Sequence, residues 1–402
     1  MAEAFGSARR PRYGEFVALV ALMTSMVALS IDAMLPALTT IGAELGARQA
    51  NDAQLILSAL FLGLALAQMI YGPLSDSVGR KPAIYLGFAL FIAGCLLSAV
   101  ATSFNAMLVG RFLQGIGAAG PRIVTIAIVR DQYEGRAMAR IMSSVMAVFI
   151  LVPALAPGLG QIILLVASWR AIFGMFLGVA VIAVVWFALR QPESLLPARR
   201  ASFSLRRIAG AVREVCAHRV ALAYTIAAGL IFGALVGYLT SAAQIFQGQY
   251  GLGERFPLYF AVLALAIGLA SYVNSRLVMR YGMTLLSGAA VTGLAALSLG
   301  FFGIALAAAG DPPLWSLMAY LVPAFFCLGI LFGNFNALAM EPLGHVAGVA
   351  ASVIGSLTTF ISLLLGTLIG RSYDGTVLPL VGGFAILGLA AAALMRWAER
   401  GR

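Results

Sequence analysis

Twelve apolar runs, each at least twenty residues long and divided by short polar breaks, limit what this chain can become more than any single motif. They fall at 14–38, 51–73, 82–101, 104–129, 137–166, 169–189, 220–246, 256–279, 283–308, 313–340, 344–370 and 377–398. A helix needs about 20 apolar residues to cross the hydrocarbon core of a bilayer. Inside that core every backbone N–H and C=O needs a partner within the protein, which leaves helices or closed barrels. Segments such as 17–29 and 84–101 lack the alternation and the roughly ten-residue units of a membrane barrel. With 62% apolar and only 10% charged residues, a soluble domain is excluded as well. The expected fold class is an all-α polytopic membrane protein.

The polar breaks set the organisation. Six runs precede a stretch rich in arginine and proline, and six follow it, so the chain divides into a first half (1–190), a linker (191–219) and a second half (220–402). Sorting the 26 Lys and Arg residues by this topology puts 20 on the side of both termini and four on the other side (Arg48, Arg170, Arg255, Arg371), with two inside a span. Positively charged loops stay in the cytoplasm, so both termini are expected there. The net charge of +11 therefore reflects topology and not a nucleic-acid surface. The first run follows Arg9, Arg10 and Arg12 like a signal peptide, but it continues through Asp32 to Pro36 with no small-residue cleavage site, so it reads as a retained helix. Cys95, Cys216 and Cys327 are isolated and odd in number, which argues against a disulfide framework. No His, Cys, Asp or Glu cluster has ligand spacing, so neither a metal nor another cofactor is expected.

Asp32 is the one acid well inside a span, where a carboxylate is costly and by default functional. Its helix face carries Leu29, Ala28, Ser25 and Pro36, mostly small, polar or kinked, as a cavity lining would be. Arg111 lies about as far from the outer end of the fourth span as Asp32 does from that of the first. Arg111, Gln114, Ala118 and Arg122 share one helix face, so both arginines are expected to point inward. Two readings of the depth match remain open: a structural ion pair, or a carboxyl whose protonation switches as the distance or access changes. Arg122 either lines the cavity or reaches toward the inner surface. Phe149, Tyr224, Phe232, Tyr238, Asn334 and Asn336 are further candidates to line a drug-sized pocket. Pro153, Pro157, Gly158 and Gly160 in the fifth span predict either a flexible packing seam or a simple kink.

Between the second and third spans stands Gly72-Pro73-Leu74-Ser75-Asp76-Ser77-Val78-Gly79-Arg80-Lys81-Pro82. Its glycines allow a tight turn, Asp76 can cap or pair, and Arg80 and Lys81 anchor it on the electropositive side. This hinge resembles the loop between the second and third helices of major facilitator superfamily transporters. Its counterpart after the eighth span, Asn274-Ser275-Arg276 through Arg280-Tyr281-Gly282, lacks the central acid and reads as a degenerate echo. Ser30-Ile31-Asp32-Ala33-Met34-Leu35-Pro36, Arg111-Phe112-Leu113-Gln114-Gly115, Arg130-Asp131 and Pro153-Ala154-Leu155-Ala156-Pro157 are similar to the bicyclomycin and chloramphenicol resistance (Bcr/CflA) subfamily of drug:proton antiporters.

The resemblance implies a major facilitator fold working by alternating access as a monomer in the bacterial inner membrane. It implies proton coupling through Asp32 and Arg111, and a cytoplasmic gate built from Gly72, Asp76, Gly79, Arg80 and Lys81. Pro157 and Gly160 match the antiporter motif, with Pro153 upstream, while Ala156 and Gln161 depart from its glycines. The expected function is export of drug-like small molecules in exchange for protons. The substrate cavity is expected to include Ser25, Gln114, Arg122, Phe149, Tyr238, Asn334 and Asn336. Export or proton-linked import of a metabolite would use the same fold, and a membrane-embedded enzyme or receptor lacks any catalytic constellation in the sequence. Two inward arginines against one acid favour neutral or acidic cargo over polycations.

Overall fold

In a computed structural model, residues 12–400 are described. Arg9, Arg10 and Arg402 lie outside them. Fourteen α-helices and no strands occur among the described residues, and twelve helical segments are long and apolar enough to cross a membrane.

The first crossing is interrupted. Helix α1 (Tyr13–Asp32) ends on the acid, and after a single 3-10 turn (Leu35–Ala37) α2 (Leu38–Glu44) continues the span. Pro36 explains the break: it has no N–H to donate, and it disfavours the helical conformation at Leu35. The crossing therefore runs to Glu44, past the expected end at 38. At that end Glu44 accepts hydrogen bonds from Trp169 Nε1 and Arg170 Nη1, both at 2.6 Å.

The remaining spans of the first half are α3 (Leu55–Val78), α4 (Arg80–Ala99), α5 (Phe104–Gln132), α6 (Gly135–Val166) and α7 (Arg170–Arg190). Glycines bring α3 and α5 to backbone contact: a Cβ on Gly63 would run into the Phe112 carbonyl, and one on Gly115 into that of Leu60. In hydrocarbon, where apolar burial between helices gains little, such close packing is a main source of cohesion.

The stretch expected as a plain linker folds a helix of its own, α8 (Leu205–Ala217). Ser204 Oγ accepts the Arg207 N–H at its start, and Ile208, Ala211 and Val215 recur at helical spacing on a buried face. That face packs on α9 (Arg219–Ala243) and α13 (Ala347–Arg371), while Arg206, Arg207 and Arg213 stay exposed. The second half is completed by α10 (Phe256–Tyr281), α11 (Met283–Ala307), α12 (Leu314–Met340) and α14 (Leu378–Glu399).

The echo of the hinge is visible in the backbone. Gly79 joins α3 to α4 at φ 110°, ψ 162°, and Gly282 joins α10 to α11 at φ 80°, ψ 159°. Both sit where a side chain would be strained. The halves meet along two seams, α3 on α13 and α6 on α10.

Candidate functional site

Between the seams lies a cavity of about 380 Å³. It is lined from the first half by α1, α3, α5 and α6, and from the second by α9, α10, α12 and α13; α4, α7, α11 and α14 take no part. The lining is mostly aliphatic and aromatic, with few polar groups. Asp32, Arg122, Phe149, Pro153, Tyr238 and Asn336 all line it, as does Phe232. At one end, here termed the basic end because most of the described arginines lie there, exposed Asn336 sits four residues from the end of α12.

Three expected lining residues face elsewhere. Ser25 is buried outside the cavity. Gln114 accepts from Arg111 Nη1 at 2.6 Å and lies 2.9 Å from Cys95 Sγ. Asn334 is locked in a reciprocal amide pair with Asn274 (2.9 and 3.0 Å), which ties α12 to α10. Tyr224 is also taken up in packing: its hydroxyl donates to Glu399 and its ring tilts against Phe335.

Of the two readings of the depth match, the ion pair between Asp32 and Arg111 does not form. Arg111 is fully buried and donates to three acceptors: Ser30 O at 2.8 Å, Gln114 Oε1 at 2.6 Å and Ile56 O at 3.4 Å. The guanidinium fork thus ties α5 to the last turn of α1 and the first turn of α3. Helical spacing had given the depth of both residues, and the depths do agree; the arginine simply stops at the backbone two residues before the acid. Asp32 turns into the cavity at 5% exposure, with no hydrogen bond or ion pair to its carboxyl among the described residues.

At the basic end the hinge is held ionically. Arg80 is 3% exposed and donates to Asp76 Oδ1 (2.6 Å), Asp131 Oδ2 (2.9 Å) and Ser75 Oγ (2.8 Å), so one guanidinium joins α3, α4 and α5. Lys81 Nζ donates to the carbonyls of Ala188 (3.2 Å) and Gln191 (2.8 Å), closing the C-terminus of α7. The linker supplies a partner that sequence spacing did not suggest. Glu193 accepts the backbone N–H groups of both Arg80 and Lys81 at 3.0 Å, capping α4 with a negative charge where the helix dipole favours one. Ser194 Oγ then donates to Asp131, and the Ala201 N–H donates to the Asp76 carbonyl. Gly72 leaves room for Ser352 of α13, whose Oγ would lie 2.7 Å from a Cβ at that position.

The opposite end is sealed by neutral amides across the two halves. Gln54 Nε2 donates to Gln244 Oε1 (2.5 Å) and Gly370 O (2.8 Å), Gln244 Nε2 donates to Asn51 Oδ1 (2.8 Å), and Asn51 Nδ2 donates to Tyr373 O (2.8 Å). Arg371 adds a longer contact to Asp52 at 3.4 Å. None of these residues was a sequence candidate; the only available signal was a group of amides at the ends of separate apolar runs. Gln244 opens a π-helical turn, Gln244–Gln249, at the end of α9. Gln54→Ala is expected to loosen this seal. In a Leu235→Cys cavity reporter freed of native cysteines, labelling by an impermeant maleimide from this side should rise about three- to tenfold. Unchanged labelling would mean that the seal does not depend on the Gln54 side chain.

Helix α6 runs through Pro153 and Pro157 without interruption. A Cβ on Gly160 would collide with the Ala33 carbonyl, where α1 breaks, whereas Gly158 has open space. Close contact in the proline-glycine segment is therefore confined to Gly160.

Residues 20–367 match the Major Facilitator Superfamily. The chain is 28% identical over 387 residues to a bicyclomycin resistance protein homolog of Haemophilus influenzae, covering 91% of each. It is 30% identical over 331 residues to multidrug resistance protein MdtL of Escherichia fergusonii, covering 81% of this chain and 80% of that one. Among solved structures, the human organic anion transporter MFSD10 superposes with a TM-score of 0.72 at 17% identity, covering 97% of this chain and 100% of that one. A D-xylose-proton symporter gives 0.73 at 13%, covering 95% and 97%. Twelve crossing helices, a cavity enclosed by four helices from each half, and a family match over most of the length agree: the chain belongs to the Major Facilitator Superfamily of membrane transporters.

Proposed function

We propose that the protein exports amphipathic small molecules in exchange for protons. The cavity alternates between the two faces of a bacterial inner membrane, and both termini are cytoplasmic. The observation that carries this reading is Asp32: a buried carboxyl, unpaired among the described residues, facing an otherwise largely apolar cavity. A proton can neutralise it there, and cargo or altered access can favour its release. Support for drug-like cargo comes from relatives named for multidrug and bicyclomycin resistance. The amide seal at one end and the reach of the cavity to Asn336 at the other suit an inward-facing state. The hinge around Arg80, with Lys81, Gly72, Asp76 and Gly79, is the proposed gate at the basic end, and Gly160, with Pro153 and Pro157, the proposed seam along which α6 moves against α1. One chain encloses the whole cavity, which is consistent with a working monomer.

The test is accumulation of a fluorescent drug in cells expressing the protein, with and without an uncoupler. Export predicts low accumulation that rises when the proton gradient collapses. Accumulation that falls on uncoupling would instead mean proton-driven uptake.

A further inference from the structure

One level of the cavity is chemically unlike the rest. Arg122 lies ten residues from the basic end of α5, Gln68 ten from that of α3, Thr358 eleven from that of α13 and Thr24 eleven from that of α1. At 1.5 Å per residue all four sit about 15 Å above that end. All four line the cavity. Gln68 is 3% exposed and its Nε2 has no protein partner; Thr358 is 8% exposed and its Oγ1 has none. Among the described residues the Arg122 guanidinium makes no hydrogen bond and no ion pair. Gly355, one turn from Thr358, leaves space beside the Gln68 amide, where a Cβ would come within 3.1 Å of its Oε1.

This level offers a cation, an amide donor and a hydroxyl, and no carboxylate. The acid of the cavity, Asp32, is eight residues beyond Thr24 on α1, about 12 Å further along. Thr24 itself is occupied, because its hydroxyl donates back to Val20 O and Ala21 O. Buried donors without acceptors are costly to leave unmet and strong when met by a charged oxygen.

We propose that Arg122, Gln68 and Thr358 form a subsite for an anionic oxygen group of the cargo, a carboxylate above all, carried on an aromatic body. Phe149, Phe232 and Phe332 supply the complementary surface for that body, with Phe232 and Phe332 packed edge to face at 5.7 Å. The subsite separates the charge of the cargo from Asp32, so an anion can share the cavity with the acid. The inference rests on small molecules passing through this cavity, and it adds the class of molecule. Arg111 contributes nothing to the preference, because its guanidinium is consumed by Ser30, Ile56 and Gln114.

The experiment is equilibrium dialysis of the purified full-length protein at neutral pH against three probes with one ring system: 2-naphthoate, 2-naphthamide and 2-naphthylmethylammonium. Wild type should bind the naphthoate about tenfold or more tightly than the ammonium, with the amide between them. Arg122→Gln should bring the two charged probes close to equal, while Arg122→Lys keeps part of the preference. Gln68→Leu and Thr358→Val should each weaken naphthoate about three- to tenfold and leave the ammonium unchanged. These two near-isosteric variants keep the test decisive if Arg122→Gln does not fold. Saturable binding that favours the ammonium, a full preference retained in Arg122→Gln, or no saturable naphthoate binding would each overturn the proposal. The readout uses no gradient. Naphthoate selectivity in a protein that shows no uncoupler-sensitive transport would sustain the subsite and defeat the export reading; export without the selectivity would do the reverse.

Discussion

Asp32→Asn is expected to abolish proton-driven transport in reconstituted liposomes, lowering gradient-driven flux about tenfold or more, while exchange of cargo down its own gradient stays within about twofold of wild type. Asparagine keeps the size of the side chain and its place as the last residue of α1, and removes only the ability to bind and release a proton. No hydrogen bond to the carboxyl has to be replaced among the described residues, so packing is not the confounding variable it would be at a paired acid. Two measurements on one preparation separate coupling from folding. Full gradient-driven flux in the variant would mean that the proton travels by another route.

Arg111→Lys should act on a different quantity. A guanidinium reaches Ser30 O, Ile56 O and Gln114 Oε1 at once, whereas an ammonium on a flexible stem cannot span three acceptors fixed on separate backbones. Each lost bond to a buried charge costs about 1.5–3 kcal/mol, so a net destabilisation on the order of 3 kcal/mol is expected. Thermal unfolding in detergent should report it as a lowered midpoint, with cargo transport falling in proportion to the folded fraction. An unshifted midpoint combined with loss of coupling alone would return Arg111 to the proton path and contradict the positioning role drawn from its bonds.

The contrast between these two residues shows what the sequence could convey. Run length and charge asymmetry were enough for twelve crossings in two sets of six, because the bilayer fixes how long a span must be and where arginines can lie. The helical repeat was likewise enough to set Asp32 and Arg111 at matching depth. It carries no information on whether a long side chain stops at a carbonyl two residues earlier, and here it does. Asn334 faced the same difficulty: an amide inside a span must find a partner, but Asn274 lies on another helix sixty residues away. The amide seal is not legible in the sequence because Asn51, Gln54 and Gln244 are neutral residues at span ends, where polar groups need no explanation. Helix α8 was hidden by its own arginines, whose spacing marks the exposed face while only Ile208, Ala211 and Val215 mark the buried one.

The two anchors of the linker have a mechanical side. Ala201 is fastened to Asp76 in the first half, and α8 rests on α9 and α13 in the second. Between Ala201 and Ser204, which caps α8, run only Ser202 and Phe203. Such a leash spans at most about 10 Å when fully drawn out. Swinging the halves further apart at this end must first pull Ala201 from Asp76, and then tug through Ser194 and Glu193 on Asp131 and the first amides of α4. In the proposed transport cycle the leash limits the stroke of the halves, and its last stretch ends on the hinge itself.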